Sequence, residues 1–185
     1  SNPIAVACAG FRPFAMMAGN DGSFGYEMEI ITHPGSGIDE VEDIRGKTLT
    51  HTSQTSNSGF KAPTALMKAE FGMISGEDYE TQFSGKHDNS ILGVANKDYE
   101  VATVANSVKK RMIDRGVVSE DQFQILYTSQ TFPTTGYGTV YNLTPELQES
   151  IREAFFSFEW EGTGLAEEFG KNGEDQFIEI TFKED

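Results

Sequence analysis

Residues 51–63 read HTSQTSNSGFKAP, five hydroxyl side chains and an Asn standing in front of a Gly, with a helical apolar pattern starting just beyond it. Upstream, TLTH (48–51) has the character of a short strand, and downstream GFKAPTALMKAEFG (59–72) spaces its apolar residues as a helix that closes on Gly72. The stretch is therefore read as the turn between a strand and a helix. A helix start exposes backbone N–H groups without internal partners, and the helix dipole adds about half a positive charge there. Thr55, Ser56, Asn57 and Ser58 extend that ring of donors, and Gly59 lets a guest approach the backbone closely. Such a site holds a tetrahedral oxyanion without formal positive charge. The same pattern also fits a Ser/Thr-rich loop with an ordinary N-cap, and composition does not separate the two.

Working outward, strands and helices alternate. GYEMEIITH (25–33) reads as a strand, GSGIDEVEDIRGK (35–47) as a loop with a short helical turn, YETQFSG (79–85) as a short strand and HDNSILGVANK (87–97) as a helix. YEVATVA (99–105) is strand-like, NSVKKRMIDRG (106–116) is a helix, and FQILYTS (123–129) is expected to be a buried strand. GYGTVYN (136–142) is another strand, feeding a helix with Thr144 as N-cap and Pro145 as its first residue. A short helix (165–170) and a terminal apolar stretch (177–182) follow, with Trp160 and the Phe155-Phe156 pair expected in the core. The apolar, Ala-rich run PIAVACAGFRPFAMMA (3–18) predicts a helix broken near Pro13. Alternation of this kind implies an α/β sheet with helices on both faces, whose ligands sit at the carboxyl ends of strands. FSGKHDNSILGV (83–94) places His87 at such a junction, where an imidazole can donate to an oxyanion; Asp88 or Asn89 capping the helix is the plainer alternative.

Composition narrows the partners. A chain of 185 residues can hold one large or two small domains, each with a core. Twenty-nine acidic against fourteen basic residues, a net charge of −15, argue against nucleic acid, and pairs such as Lys109-Lys110 are too sparse to make a basic patch. Cys8 stands alone, so no intramolecular disulfide forms. His33, His51 and His87 are too scattered for a metal site of known spacing, and no cofactor is expected. Ser58, His87 and Asp88 lack the context of a hydrolytic triad, because adjacent His and Asp orient an imidazole poorly.

Three ordered segments carry a resemblance. DIRGKTLTHTSQTSNSGFKAPTAL (43–66), GKHDNSILGVANKDYEVATVANS (85–107) and YTSQTFPTTGYGTVYNLTPELQESI (127–151) resemble the phosphate/phosphite/phosphonate ABC-transporter substrate-binding proteins. GSFGYEMEIITHPGSGI (22–38) is similar to that family's first crossing strand. The resemblance implies a type II periplasmic-binding fold, two α/β lobes joined by crossing strands. It implies that Ser56, Asn57 and Ser58 cradle phosphorus oxygens while His87 donates from a facing helix start. Tyr26 and Tyr137 would fall near the crossing strands, and Asn106, Ser107 and Thr135 complete the candidate set. The family's first half-lobe has no counterpart, so the chain resembles roughly the final two thirds of such a protein. Residues 33–132 are expected to form a complete three-layer lobe. Residues 1–32 and 133–185 would supply the crossing strands and an incomplete second lobe, whose exposed apolar surface favours self-association.

The implied function is the substrate-binding component of an ABC importer, periplasmic, closing its lobes on a small phosphorus oxyanion and docking on a membrane permease. Family members that take aminoalkylphosphonates pair the ammonium with carboxylates. Ser107 and Thr135 stand at the corresponding positions here and cannot balance a charge. Phosphate, phosphite or a short alkylphosphonate without an amine is therefore expected. Two other readings share the fold: an extracytoplasmic sensing domain of a receptor or kinase, and a binder of a thiamine-precursor pyrimidine.

Overall fold

The computed structural model describes residues 6, 8–170 and 173–181. These divide into two compact units, one of residues 26–132 and one of residues 1–25 and 133–185. The expected boundary at residue 33 moves to Tyr26. The reason is β2 (Met28–Thr32), whose five side chains are all buried and which lies inside the larger unit's sheet, with β5 (Val101–Ala105) on one side and β6 (Gln124–Thr128) on the other.

That sheet has the order β4-β3-β5-β2-β6, with β3 spanning Thr48–His51 and β4 Glu80–Phe83. β3 runs parallel to β4 and β5, whereas β2 is antiparallel to β5 and β6. β2 (MEIIT) and β5 (VATVA) are buried along their whole length, as strands covered on both faces should be. One face carries Met28, Ile30, Leu49 and Val101 against Met67 of α1 (Ala62–Phe71) and Ile44 of a 3-10 turn (Val41–Ile44). The other carries Ile31, Ala102 and Val104 against Ile91 and Val94 of α2 (His87–Ala95) and Met112 of α3 (Asn106–Asp114). Helices thus flank both faces. β6 is not the buried strand its apolar residues suggested. It is an edge strand paired only with β2, and Ile125 is exposed.

The smaller unit contains an antiparallel sheet of order β7-β1-β8: β7 is Gly136–Val140, β1 Phe11–Ala18 and β8 Gln176–Glu179. The helix expected over 3–18 is therefore a strand from Phe11 onward; residues 1–5 and 7 lie outside the described residues, as does Phe182 of the terminal stretch. A continuous apolar run does not distinguish a buried strand from a helix. Pairing on both edges and burial of Ala15, Met16, Met17 and Ala18 override the helical preference of Ala and Met. Pro13 is tolerated because the register with β7 shifts just there. Opposite it, a Cβ on Gly138 would lie 2.2 Å from the Arg12 carbonyl oxygen, so only glycine lets the strands approach.

An aromatic cluster fills this unit. Phe155, on α4 (Pro145–Phe156), meets Phe14 edge-on at 5.4 Å and Phe177 at 4.9 Å, and Trp160 meets Phe177 at 5.0 Å. Tyr141, Leu147, Phe156 and Phe158 are exposed.

Candidate functional site

Because β3, β4 and β5 are parallel, their carboxyl ends share one edge of the larger sheet. A helix starts from each: a π-turn at Asn57–Lys61 leading into α1, then α2 at His87 and α3 at Asn106. β2 runs the other way, which brings the segment just before it, Tyr26 and Glu27, to the same edge.

The loop after β3 is pinned from within. The Gly59 carbonyl accepts from Thr52 N–H at 3.0 Å, from the Thr103 hydroxyl at 2.9 Å and from His51 Nδ1–H at 3.1 Å. A carbonyl only accepts, so His51 carries its proton on Nδ1 and leaves Nε2 without a partner beside Phe60 and Phe83. Burial lowers the His51 pKa to about 4, and the ring is neutral. His51 and Thr103 are structural residues that the motif reading did not single out. Gly59 also departs from expectation. Its bare Cα faces the protein, since a Cβ there would meet Thr52 Oγ1 at 1.9 Å and Ser56 Oγ at 2.8 Å. Its amide donates to Ser56 Oγ at 3.1 Å. Packing against Thr52 is thus by itself enough to require glycine here.

Ser56 and His87 meet across the edge, Oγ to Nε2 at 3.4 Å. The Ala105 amide donates to His87 Nδ1 at 3.1 Å, which fixes the neutral ring with its proton on Nε2. Burial also lowers the His87 pKa; Asp88 opposes the shift and Arg111 adds to it. Both lone pairs of the Ser56 hydroxyl therefore face donors, Gly59 N–H and His87 Nε2–H, and its own hydrogen is left to donate elsewhere. Ser58 is buried and Thr55 and Asn57 are exposed.

Capping separates these helices from the others. α4 and α5 (Gly164–Phe169) are capped by the Thr144 and Thr163 hydroxyls. α2 and α3 have no side-chain cap, and Ser56 caps only Gly59, which leaves the Asn57 and Ser58 amides without helical acceptors. Neither Asp88 nor Asn89 caps α2; the Asn89 side chain donates to the Ser84 carbonyl instead. Lys109, on α3, is buried and lies 2.5 Å from Glu29 Oε2, in a geometry that makes an ion pair but not an aligned hydrogen bond.

Both polar atoms of the Asn106 side chain are turned to Glu27. Its Oδ1 accepts from Glu27 N–H at 3.0 Å and its Nδ2 donates to the Glu27 carboxylate, which also accepts from the Thr131 hydroxyl at 2.8 Å. Glu27 is thus a carboxylate on this edge that no motif pointed to. Tyr26 pairs with Phe132 through both backbone groups, and their rings lie 6.0 Å apart. Ser107 is half-buried at the start of α3. Thr135 and Tyr137 belong to the smaller unit, where Thr135 is exposed and Tyr137 packs on Phe155 and Phe177. Among the described residues, no group of three His, Cys, Asp or Glu side chains could hold a metal ion, and no helix is long and apolar enough to cross a membrane.

Comparisons with known proteins agree with this architecture. The chain is 29% identical over 138 residues to the phosphate-import protein PhnD of Mycolicibacterium smegmatis, covering 68% of this chain and 43% of that protein. It is 25% identical over 158 residues to the phosphonates-binding periplasmic protein of Escherichia coli, covering 83% and 46%. The chain therefore spans less than half the length of either relative. A binding protein component of an ABC phosphonate transporter from Pseudomonas aeruginosa superposes with a TM-score of 0.75 at 22% identity, covering 91% of this chain and 57% of that one. PhnD1 of Prochlorococcus marinus, in complex with methylphosphonate, superposes with a TM-score of 0.69 at 12% identity, covering 91% and 66%. These likenesses identify a mixed α/β, partial type II periplasmic-binding fold. The family model described as ABC transporter, phosphonate, periplasmic substrate-binding protein matches residues 1–185, and the chain belongs to that family, one of binding proteins and not of enzymes.

Proposed function

We propose that this chain binds a small phosphorus oxyanion as part of the periplasmic substrate-binding component of an ABC importer, which hands its cargo to a membrane permease. The observation that carries the reading is the set of unused donors at one sheet edge. The Ser56 hydroxyl hydrogen, the Asn57 and Ser58 amides and the uncapped start of α2 have no acceptor of their own. His87 Nε2–H, held only loosely at 3.4 Å, is the further donor. All are neutral, so an acidic protein holds the anion by oriented dipoles and releases it without breaking an ion pair. Closure of the second lobe over the bound anion belongs to the same reading.

The ligand is small and lacks an amine: phosphate, phosphite or a short alkylphosphonate. Ser107 and Thr135, where the resemblance puts the ammonium's partners, carry no charge, and the Glu27 carboxylate on this edge is already held by Asn106 and Thr131; a buried ammonium without a partner costs several kcal/mol. The methylphosphonate complex of the Prochlorococcus relative and the phosphate-import name of the Mycolicibacterium one support that size class. The exposed Tyr141, Leu147, Phe156 and Phe158 support self-association through the smaller unit. The test is isothermal titration calorimetry with the three anions, before and after Ser56→Ala, which removes the one side-chain hydroxyl in this donor set. A hydrogen bond to a charged group contributes about 1.5–3 kcal/mol, so Ser56→Ala should weaken binding by at least ten-fold. Unchanged affinity would reduce the loop to a helix cap.

A further inference from the structure

The donor edge is not purely a donor edge. Glu27 and His87 hang on two successive residues at the start of α3. The Ala105 amide holds His87 Nδ1 at 3.1 Å, and the Asn106 amide holds the Glu27 carbonyl oxygen at 3.0 Å. The half-buried Glu27 carboxylate in turn accepts from the Asn106 side chain, so His87 and Glu27 are both anchored on the adjacent pair Ala105 and Asn106 at the carboxyl end of β5. The carboxylate is locked in place. Asn106 Nδ2 donates to Oε2, Thr131 Oγ1 donates to Oε1 at 2.8 Å, and the Glu27 amide closes the clamp on Asn106 Oδ1. Each carboxylate oxygen has two acceptor sites, and these contacts use one apiece. The remaining acceptors belong to a group whose charge has the same sign as the guest.

A carboxylate beside an oxyanion is tolerated when a hydrogen lies between them, and is repulsive otherwise. We propose that Glu27 is a specificity-determining residue that accepts a hydrogen bond from a protonated ligand oxygen, so that the site selects monoanions of the P–O–H type and rejects tetrahedral anions without an acidic hydrogen. This rests on the oxyanion reading above and names the charge form it takes. Asn106 and Thr131 are then positioning residues, acting through the carboxylate. A role of Glu27 confined to seating a negative charge at the start of α3 makes a different forecast, since ligand choice would then be indifferent to it.

Methylphosphonate monoanion and methanesulfonate make the deciding pair. Both are tetrahedral, both carry a methyl group and one negative charge, and only the first carries an O–H. Calorimetric titration of the purified protein at mildly acidic pH should favour methylphosphonate by about ten-fold or more, the range of one charge-assisted hydrogen bond. Glu27→Gln, which can donate to a sulfonate oxygen, should erase most of that preference. Equal affinities in the parent protein would overturn the proposal without recourse to any variant, so a poorly folding Glu27→Gln does not shield it. A preference that survives in folded Glu27→Gln would overturn it as well. So would tighter binding of 2-aminoethylphosphonate that is lost in that variant, because Glu27 would then serve an ammonium. If phosphate, phosphite and methylphosphonate all fail to bind, the oxyanion reading itself falls; if they bind without discrimination against methanesulfonate, only the role of Glu27 does.

Discussion

Replacing Gly59 with alanine tests whether this glycine serves packing or access. A Cβ built there lies 1.9 Å from Thr52 Oγ1, 2.7 Å from Thr52 Cγ2 and 2.8 Å from Ser56 Oγ. Neither side can give way cheaply. Thr52 is buried, and the Gly59 carbonyl is fixed by three donors from Thr52, Thr103 and His51. Overpacking of this kind costs about 1–3 kcal/mol, while alanine in a helical turn returns up to about 1 kcal/mol relative to glycine. The net expectation is a loss of about 1–2 kcal/mol in urea denaturation. Thr52 Oγ1 has no hydrogen-bond partner, so Thr52→Ala forfeits none and removes both close contacts. The double variant should therefore sit near Thr52→Ala alone, with a coupling of at least about 1 kcal/mol in the double-mutant cycle. If Gly59→Ala proves as stable as the parent or more so, the helix preference has won and the glycine is not a packing device. The remaining explanation would be backbone access for a guest.

Two further outcomes concern buried ionisable groups. The His51 pKa falls from 6.5 to about 4 through burial, so the unfolded imidazole takes up its proton first: stability from this group is complete above about pH 6.5, is lost as pH falls towards 4, and amounts to roughly 3 kcal/mol. Urea denaturation across that range should show the slope, with His87 adding to it in the same sense, and His51→Asn, which can still donate to Gly59, should flatten it; a slope unchanged in the variant would refute the assignment. Lys109→Met strands the buried Glu29 carboxylate and should cost about 3–5 kcal/mol, most of which returns in the Glu29→Leu/Lys109→Met double variant, as read by the same assay; a mild effect of the single change would mean that water reaches the pair.

What the sequence discloses about this fold follows the range of the interactions. Strands with a covered face and helices with a cap or a closing glycine are local, so β2, β3, β5, α1 and α2 are legible to within three residues at either end, Gly72 included. β1 is not. Its Ala- and Met-rich stretch satisfies a helix as well as a strand, and only its partners β7 and β8, more than a hundred residues away, decide the matter. β6 misled for the same reason, because its apolar residues do not say whether a second strand flanks it.

The site divides along the same line. Ser56, Ser58 and His87 lie at strand-to-helix turns that sequence marks, but the hydrogen-bond sense that makes Ser56 a donor depends on His87, and that of His87 on the Ala105 amide. A cap and an anion site look alike in sequence because both begin with hydroxyls before a helix. They differ in whether the amides find an acceptor, and here α4 and α5 do through Thr144 and Thr163 while α2 does not. Glu27 is the extreme case. Nothing in GYEME distinguishes it from Glu29, two residues on, yet Glu29 lies inside β2 beside the buried Lys109, whereas Glu27 precedes the strand and meets Asn106 and Thr131 at the edge. An acidic residue beside an anion site would count against that site if it were judged by charge alone. Judged by its acceptors, each oxygen half used and both held in place, it becomes the feature by which two anions of equal charge and shape can be told apart.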